Sequence, residues 1–157
     1  IEICNGPNWR RKHLRAIELA DQKAEDFDDY LPGLQDIYAH KWALLAGLNH
    51  ALLKFFLAAL SIDVEIVMAS EQGFSGAKSE LVLDMCLKLG ADEYIFGGLG
   101  KDYADLDAFA EAGVSVSFQD YKHPTYSQIH GDFTSHLSTL DLLMNAGPDS
   151  LRILRNG

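Results

Sequence analysis

Strand-like and helix-like segments alternate through residues 61–157, and this alternation constrains the fold more than any other feature of the sequence. Three short apolar runs, at 64–68, 94–96 and 114–118, have the composition of buried strands. Helical patterns at 77–89 and 102–111 separate these runs, and a glycine-rich loop precedes each helix. A β-α-β-α-β order implies right-handed crossovers and a parallel sheet. The sequence therefore predicts a three-layer, Rossmann-like α/β fold with a short parallel sheet.

The first 60 residues predict a helical segment that precedes this sheet. A first helix is expected to begin after Asn8, a candidate cap. Pro32-Gly33 is a turn signal, and a long helix is expected from Leu34 to Leu60 because apolar residues recur there at spacings of three and four.

Near the end of the chain, a short helix is expected from Ser138 to Asn145. We expect one α/β domain over residues 1–157, made of the helical segment 1–60 and the βαβαβ part 61–157.

Charge and cysteine content exclude several classes of protein. The chain has 13 Lys and Arg against 23 Asp and Glu, a formal net charge of −10. A general nucleic-acid binder is excluded, because phosphate contacts need clustered Lys and Arg. No membrane span is predicted, since the longest apolar run, 51–60, contains Lys54 and is shorter than the roughly 20 residues required. The two cysteines are isolated in the sequence, which predicts neither a zinc site nor a disulfide scaffold. Together with the absence of a signal-peptide pattern, they favour a cytoplasmic location.

A glycine-rich loop follows the second predicted strand, at the end of the sheet where ligands gather in parallel α/β proteins. Gly97, Gly98 and Gly100 would let the backbone approach a ligand, and Lys101 would supply a positive charge beside the N–H groups of the next helix. The alternative is that these glycines only permit a tight turn. The loop also departs from the dinucleotide fingerprint, because Tyr103 occupies the place of its third glycine.

The segment 118–128, directly after the third predicted strand, is the densest in chemically active side chains. Asp120 and His123 could orient one another, with His123 as a general base. Tyr126 and Gln128 follow them. The alternative is a surface loop whose polar groups cap the sheet. Asp141 and Asn145, four positions apart, share a helical face, and that face could point into the site or at water.

Several motifs in fixed order resemble the C-terminal part of the WbqC-like protein family, over roughly residues 62–150. The N-terminal motif of that family, a Gln-Pro-Tyr followed by aromatics and a Gly-Tyr, is absent, so we expect a fragment of a longer protein. Residues 9–24 look like the helical segment that precedes these motifs in the family. The motifs are Ser79-Glu80-Leu81, Leu89-Gly90-Ala91-Asp92, Gly100-Lys101-Asp102-Tyr103, Phe109-Ala110-Glu111-Ala112-Gly113, Phe118-Gln119-Asp120-Tyr121-Lys122-His123-Pro124-x-Tyr126-x-Gln128 and Leu137-Ser138-Thr139-Leu140-Asp141-Leu142-Leu143-Met144-Asn145-x-Gly147.

The resemblance implies an acyl- or aminoacyltransferase, of the glycine-transferring type, that acts on an amino sugar in O-antigen or other surface-polysaccharide synthesis. Its substrates would be a nucleotide-linked amino sugar and an acyl or aminoacyl donor. His123, oriented by Asp120, would take a proton from the acceptor amine. The expected substrate-binding residues are Gly97, Gly98, Gly100, Lys101, Tyr103, Tyr126, Gln128 and Asp141.

Two other functions remain open at this point. In the first, the loop 97–101 binds a nucleotide for an ATP-dependent ligation. In the second, the chain is a non-catalytic binding subunit that supports a protein partner, or the missing N-terminal half, in a glycan-synthesis complex. No cofactor is identified by the residues.

Overall fold

A computed structural model describes residues 1–6 and 8–157 of the chain. The described residues form a helix-rich structure with a small parallel sheet. They divide into two compact units, unit 1 (Ile1–Val64 and His123–Gly157) and unit 2 (Glu65–Lys122). In chain order, the elements are α1 (Trp9–Asp21), α2 (Phe27–Ala39), α3 (Leu45–Ala59), α4 (Ser79–Leu89), β1 (Glu93–Phe96), α5 (Leu106–Glu111), β2 (Ser115–Phe118), α6 (Thr139–Ala146) and α7 (Ser150–Leu154), with 3-10 turns at Ala69–Glu71, Gly98–Asp102 and Gly147–Asp149.

Unit 1 is built around α2, which packs against α1, α3 and α6. Its buried core joins Phe27 and Leu34 of α2 to Met144 of α6, which is fully buried. Gly33 of α2 faces Phe55 of α3, and a Cβ atom at Gly33 would lie 2.6 Å from Phe55 Cε2. The absence of a side chain at this position therefore lets the two helices approach closely.

The predicted turn at Pro32-Gly33 and the predicted single helix from Leu34 to Leu60 are both wrong. Helix α2 runs through Pro32, and the chain leaves the helical conformation at His40 instead. The Trp42 indole donates a hydrogen bond to Ile37 O at 2.9 Å, and its ring lies 4.4 Å from that of His40. These contacts fold the link between α2 and α3 back onto the end of α2, which apolar spacing alone does not reveal.

Helix α1 begins at Trp9, as predicted, although the Asn8 side chain makes no capping hydrogen bond. Helix α6 begins one residue later than predicted, and the hydroxyl of Ser138 caps it by accepting from Leu140 N at 2.9 Å. Helix α7, which follows it, was not predicted.

Unit 2 is centred on β1 and β2, which pair in parallel with Glu93 opposite Ser115 and Phe96 opposite Phe118. The core beside the sheet contains Cys86 of α4, Phe96 of β1 and Phe109 of α5, which are all buried. Helix α4 ends where predicted, at Gly90, whose φ of 68° is the left-handed conformation that glycine adopts easily.

Two elements of the predicted α/β pattern are wrong. Among the described residues the sheet has two strands, because residues 64–68 are not paired in a sheet, and Val64 is 56% exposed. The helix expected from Asp102 begins only at Leu106, after a 3-10 turn at Gly98–Asp102. A parallel sheet is therefore present, and the three-layer, Rossmann-like arrangement stays a prediction.

Candidate functional site

Three of the predicted site residues meet in unit 1, beside the first turn of α6. Tyr126 Oη donates to Asp141 Oδ2 at 2.6 Å, and Gln128 Nε2 donates to the same oxygen at 2.9 Å. Gln128 also makes two hydrogen bonds to the backbone of the loop at Thr134. Its Nε2 donates to Thr134 O at 3.0 Å, and its Oε1 accepts from Thr134 N at 2.8 Å. Asp141 is thus the shared acceptor of a network that holds two parts of the chain against α6.

Asn145, four residues after Asp141, extends this network. Its Nδ2 donates to Asp141 O at 2.8 Å, and its Oδ1 accepts from Ile129 N at 3.0 Å. Both side chains are half-buried. This face of α6 therefore holds the segment 126–129, and the role of Asp141 in binding a substrate stays a prediction.

His123, the predicted base, is half-buried, and its Nδ1 lies 2.9 Å from Pro124 O. A carbonyl oxygen only accepts hydrogen bonds, so Nδ1 carries a proton and, in the neutral ring, Nε2 is the basic nitrogen. Asp120 belongs to unit 2 and His123 to unit 1. At Nδ1, the orienting role expected of Asp120 is filled by Pro124 O, and the pairing of Asp120 with His123 stays a prediction.

An aromatic cluster surrounds His123. Its ring centroid lies 4.9 Å from that of His136, 5.8 Å from Phe133 and 6.2 Å from Tyr126. His136 has a positive φ of 60°, which few non-glycine residues adopt. Sequence reasoning did not include Phe133 or His136 among the site residues, because neither belongs to a periodic pattern that could reveal it.

A cavity of about 660 Å³ opens in unit 1 beside residues 124–127, which directly follow His123. This volume lies within the range of small-molecule sites. Glu25, Asp26 and Arg152 are among the charged residues on its walls, with Tyr126 and Asn145 among the polar ones. These polar walls suit a hydrophilic ligand.

The charges of this cavity are unevenly distributed. Partial burial, and then the carboxylates of Glu25 and Asp29, raise the pKa of Asp26 above its usual value. Arg152, which also lines the cavity, is paired with Asp149 at 3.0 Å in an exposed ion pair. Glu25 and Asp26 therefore supply negative charge to the cavity, while the charge of Arg152 is offset by Asp149.

The glycine-rich loop lies in unit 2, where its glycines differ in environment. A Cβ atom at Gly100 would lie 2.5 Å from Phe96 Cβ, whereas one at Gly97 would meet no atom within 4 Å. Gly100 therefore supports the structural alternative, a close turn over the core. Lys101 Nζ lies 5.6 Å from the centre of the Phe118 ring, and the Tyr103 ring lies 5.7 Å from that of Phe96.

The N–H groups expected directly after Lys101 do not belong to an α-helix. Helix α5 begins at Leu106, and the Asp105 carboxylate caps it by accepting from Ala108 N at 3.1 Å. A negative cap of this kind competes with an anionic ligand for the same N–H groups. Phosphate binding by Gly97, Gly98 and Lys101 stays a prediction.

No group of three or more His, Cys, Asp or Glu side chains in the described parts of the chain could hold one metal ion. Within residues 1–6 and 8–157, no helix combines the length and the apolar character that a membrane span needs.

Comparison with known proteins places these features in a family. The sequence model of the WbqC-like protein family matches residues 1–153. The chain belongs to the WbqC-like family. The match includes the helical segment before residue 62, so the whole of unit 1 up to Ile153 shares the family pattern with unit 2.

The chain is also similar to the uncharacterized protein Rv1507c of Mycobacterium tuberculosis, with 30% identity over 158 residues. This similarity covers 98% of the present chain and 68% of the mycobacterial protein. No solved structure matches the chain. Sequence similarity therefore establishes membership of the WbqC-like family.

Proposed function

We propose that this WbqC-like protein is an acyl- or aminoacyltransferase that forms an amide on an amino sugar during surface-polysaccharide synthesis. This class of reaction is the one that the resemblance of the sequence motifs to the family implies. The observation that carries the proposal is the polar cavity of about 660 Å³ whose wall includes residues 124–127. His123 precedes this wall in the sequence and does not itself line the cavity, so the proposed base would have to reach the acceptor from its edge. A sugar has the size and the hydroxyl groups that such a cavity suits.

In the proposed reaction, the amino sugar occupies this cavity. The carboxylates of Glu25 and Asp26 attract its amino group, and Tyr126, which donates to Asp141, contributes its side chain to the wall that the sugar contacts. Gln128 acts indirectly, by fixing the loop at Thr134 and the carboxylate of Asp141.

The chemical step is the attack of the amine nitrogen on the carbonyl carbon of an activated acyl group, for which a thioester is the simplest donor. His123 Nε2 takes the proton that the nitrogen loses. The carbon–sulfur bond then breaks, the C–N bond of the amide remains, and the departing thiolate takes the proton from His123. The neutral base is thereby regenerated.

Cys4 and Cys86 are both free thiols, which supports the cytoplasmic location that this proposal includes.

The first test is a thermal-shift panel on the chain with glucosamine, a uridine-diphosphate amino sugar, acetyl-coenzyme A and ATP. A ligand present at 100 times its Kd adds about 2.7 kcal/mol to the free energy of unfolding. We expect the sugar compounds and the thioester to raise Tm. A shift with ATP alone would favour the ligase instead, and no shift with any sugar would contradict the proposed acceptor.

The second test compares His123→Gln with the control His50→Gln, which alters a histidine on α3, far along the sequence from the site. Thiol release from acetyl-coenzyme A, in the presence of the acceptor identified by the panel, gives kcat/KM. Loss of a general base lowers this value by about 10²- to 10⁴-fold. If His123→Gln stays within about threefold of the unmodified chain while acceptor binding persists, His123 is not the base.

A further inference from the structure

Positive charge is concentrated on the first helix of unit 1. Residues 8–23 contain five of the 13 Lys and Arg residues of the chain and two of its 23 Asp and Glu residues. The remainder of the chain is therefore strongly acidic, since the net charge of the whole is −10. Helix α1 is thus a basic element in an acidic protein, a feature that the overall composition conceals.

The cations of α1 share its outer face. Arg11, Arg15 and Leu19 follow one another at intervals of four residues, which places them on one side of a helix. Lys12 lies on the same side, seven residues before Leu19. All four side chains are exposed, whereas Ile17 on the other side packs against the core of unit 1. We call these four residues the basic face of α1.

A groove of about 500 Å³ lies on the basic face of α1, and its lining includes Arg11, Lys12, Arg15 and Leu19. Glu18 is the acidic residue of this groove, and its carboxylate is paired with Arg15 at 2.9 Å. Among the described residues, no ion pair contains Arg11 or Lys12. Two cations of the groove are therefore available to an anionic partner.

The position of these cations works against the helix itself. Arg10, Arg11 and Lys12 belong to the first turn of α1, which contains no acidic residue. The N-terminus of a helix carries a partial positive charge, so cations there destabilise the helix, whereas Asp or Glu would stabilise it. Residues that oppose the local preferences of a fold are typical of functional positions. Binding therefore explains the cations of this turn better than folding does.

We propose that the basic face of α1 docks on the surface of an anionic phospholipid bilayer. Arg11, Lys12 and Arg15 contact the lipid phosphates, and Leu19, which is 54% exposed, enters the head-group layer. An apolar side chain flanked by cations is the pattern of helices that lie on a membrane, whereas the phosphates of a nucleic acid need the cations alone. This inference does not depend on the proposed transferase reaction, so either can fail without the other.

The acidic remainder of the chain does not prevent this docking. Charges separated by more than about 8 Å are largely screened at physiological ionic strength. The 13 residues of α1 extend about 20 Å, so the bilayer interacts mainly with the face that touches it. Each Lys or Arg close to an anionic bilayer contributes about fivefold in affinity.

The test is co-sedimentation of the chain with vesicles made of equal parts of phosphatidylglycerol and phosphatidylcholine, and with vesicles of phosphatidylcholine alone. We expect the chain to bind the anionic vesicles at about 0.1 M NaCl and to be released at about 1 M NaCl, where the screening length falls from about 10 Å to about 3 Å. The vesicles of phosphatidylcholine alone should not bind it.

Two double variants locate the contact. Arg11→Gln with Lys12→Gln removes two cations from the basic face, and the control Lys41→Gln with Lys54→Gln removes two exposed cations elsewhere in unit 1. At about fivefold for each cation, the first pair should weaken vesicle binding about 25-fold, and the control by less than about threefold. The first pair should stay folded, because glutamine is a good helix former and the first turn loses unfavourable charge.

The role of Leu19 is tested by the same substitution at two exposed leucines. Leu19→Gln should weaken binding to the anionic vesicles by about fivefold or more, because the apolar side chain no longer leaves water on docking. The control Leu53→Gln alters a leucine of α3 that is 46% exposed, and it should leave vesicle binding within about twofold.

Three results would overturn the proposal. The first is that the chain binds both kinds of vesicle equally, or neither. The second is that the control pair Lys41→Gln and Lys54→Gln weakens binding as much as the pair on the basic face. The third is that duplex DNA at the same phosphate concentration binds as tightly as the anionic vesicles, which would make the basic face a nucleic-acid site instead.

Discussion

Replacing Gly100 by alanine tests whether the glycine-rich loop of unit 2 is shaped by packing or by a ligand. The added Cβ atom would lie 2.5 Å from Phe96 Cβ and 2.7 Å from Phe96 Cγ. Phe96 is 1% exposed and its Cβ is fixed to the backbone of β1, so the clash cannot be relieved by moving a flexible chain end. Overpacking a core in this way costs about 1–3 kcal/mol. We therefore expect Gly100→Ala to destabilise the protein by that amount.

Gly97→Ala is the matched control in the same loop. A Cβ atom there meets no atom within 4 Å, and the Gly97 φ of −64° suits alanine. Its stability should change by less than about 1 kcal/mol, with a small gain expected from reduced unfolded-state entropy. If both glycines instead serve a ligand, Gly97→Ala should abolish the thermal shift caused by that ligand while leaving Tm of the free protein unchanged.

The assay for this pair must report on unit 2. Trp9 and Trp42, the two tryptophans of the sequence, lie outside it, so calorimetry or circular dichroism is required in place of tryptophan fluorescence. Each kcal/mol corresponds to about 2–4 °C in Tm for a cooperative unit of 150–250 residues. A Gly100→Ala protein that melts within 1 °C of the unmodified chain would refute the packing argument.

Two further predictions concern unit 1. Asp141→Ala removes the acceptor of Tyr126 and Gln128, so it should lower the free energy of unfolding in urea by about 1.5–3 kcal/mol, the range for hydrogen bonds to a charged group. The exposed control Asp132→Ala should change the free energy of unfolding by less than about 0.5 kcal/mol. Equal effects of the two substitutions would show that the network contributes no stability. Burial, and then the charge of Asp141, raise the pKa of Asp21 against the opposing effect of His130. When folding raises the pKa of a carboxyl, the protein loses stability as the pH rises from about 4 through the folded-state pKa of that group. Asp21→Asn should therefore raise Tm at pH 7 and not at pH 3. An equal gain in Tm at both pH values would exclude this mechanism.

The sequence predicted best those elements whose signals are local. The end of α4 at Leu89 and the start of α6, which lies within one residue of the prediction, both depend on a few adjacent residues. The break at His40 depends on the contact of Trp42 with Ile37, and this requires the folded chain. Residues 64–68 have strand composition, yet a strand also needs a pairing partner, which composition does not supply.

The candidate site shows the same division between local and long-range information. The sequence identified Tyr126, Gln128 and Asp141 by their chemistry, and the structure joins them in one network. It could not identify Phe133 and His136 as neighbours of His123, because the loop that carries them is positioned by the hydrogen bonds of Gln128 to Thr134. Residue type therefore selected the candidate groups, and long-range contacts decided which of them meet.

The order in which the chain is synthesised gives the two units different histories. Unit 2 is continuous in sequence, so all of its residues have been made once Lys122 is added. Unit 1 is interrupted, and its core needs Met144 to cover Phe27 and Leu34, which are made more than 100 residues earlier. At a synthesis rate of about 5–20 residues per second, Met144 is added several seconds or more after the apolar residues of α2. During this interval Phe27 and Leu34 lack the side chain that covers them in the folded protein.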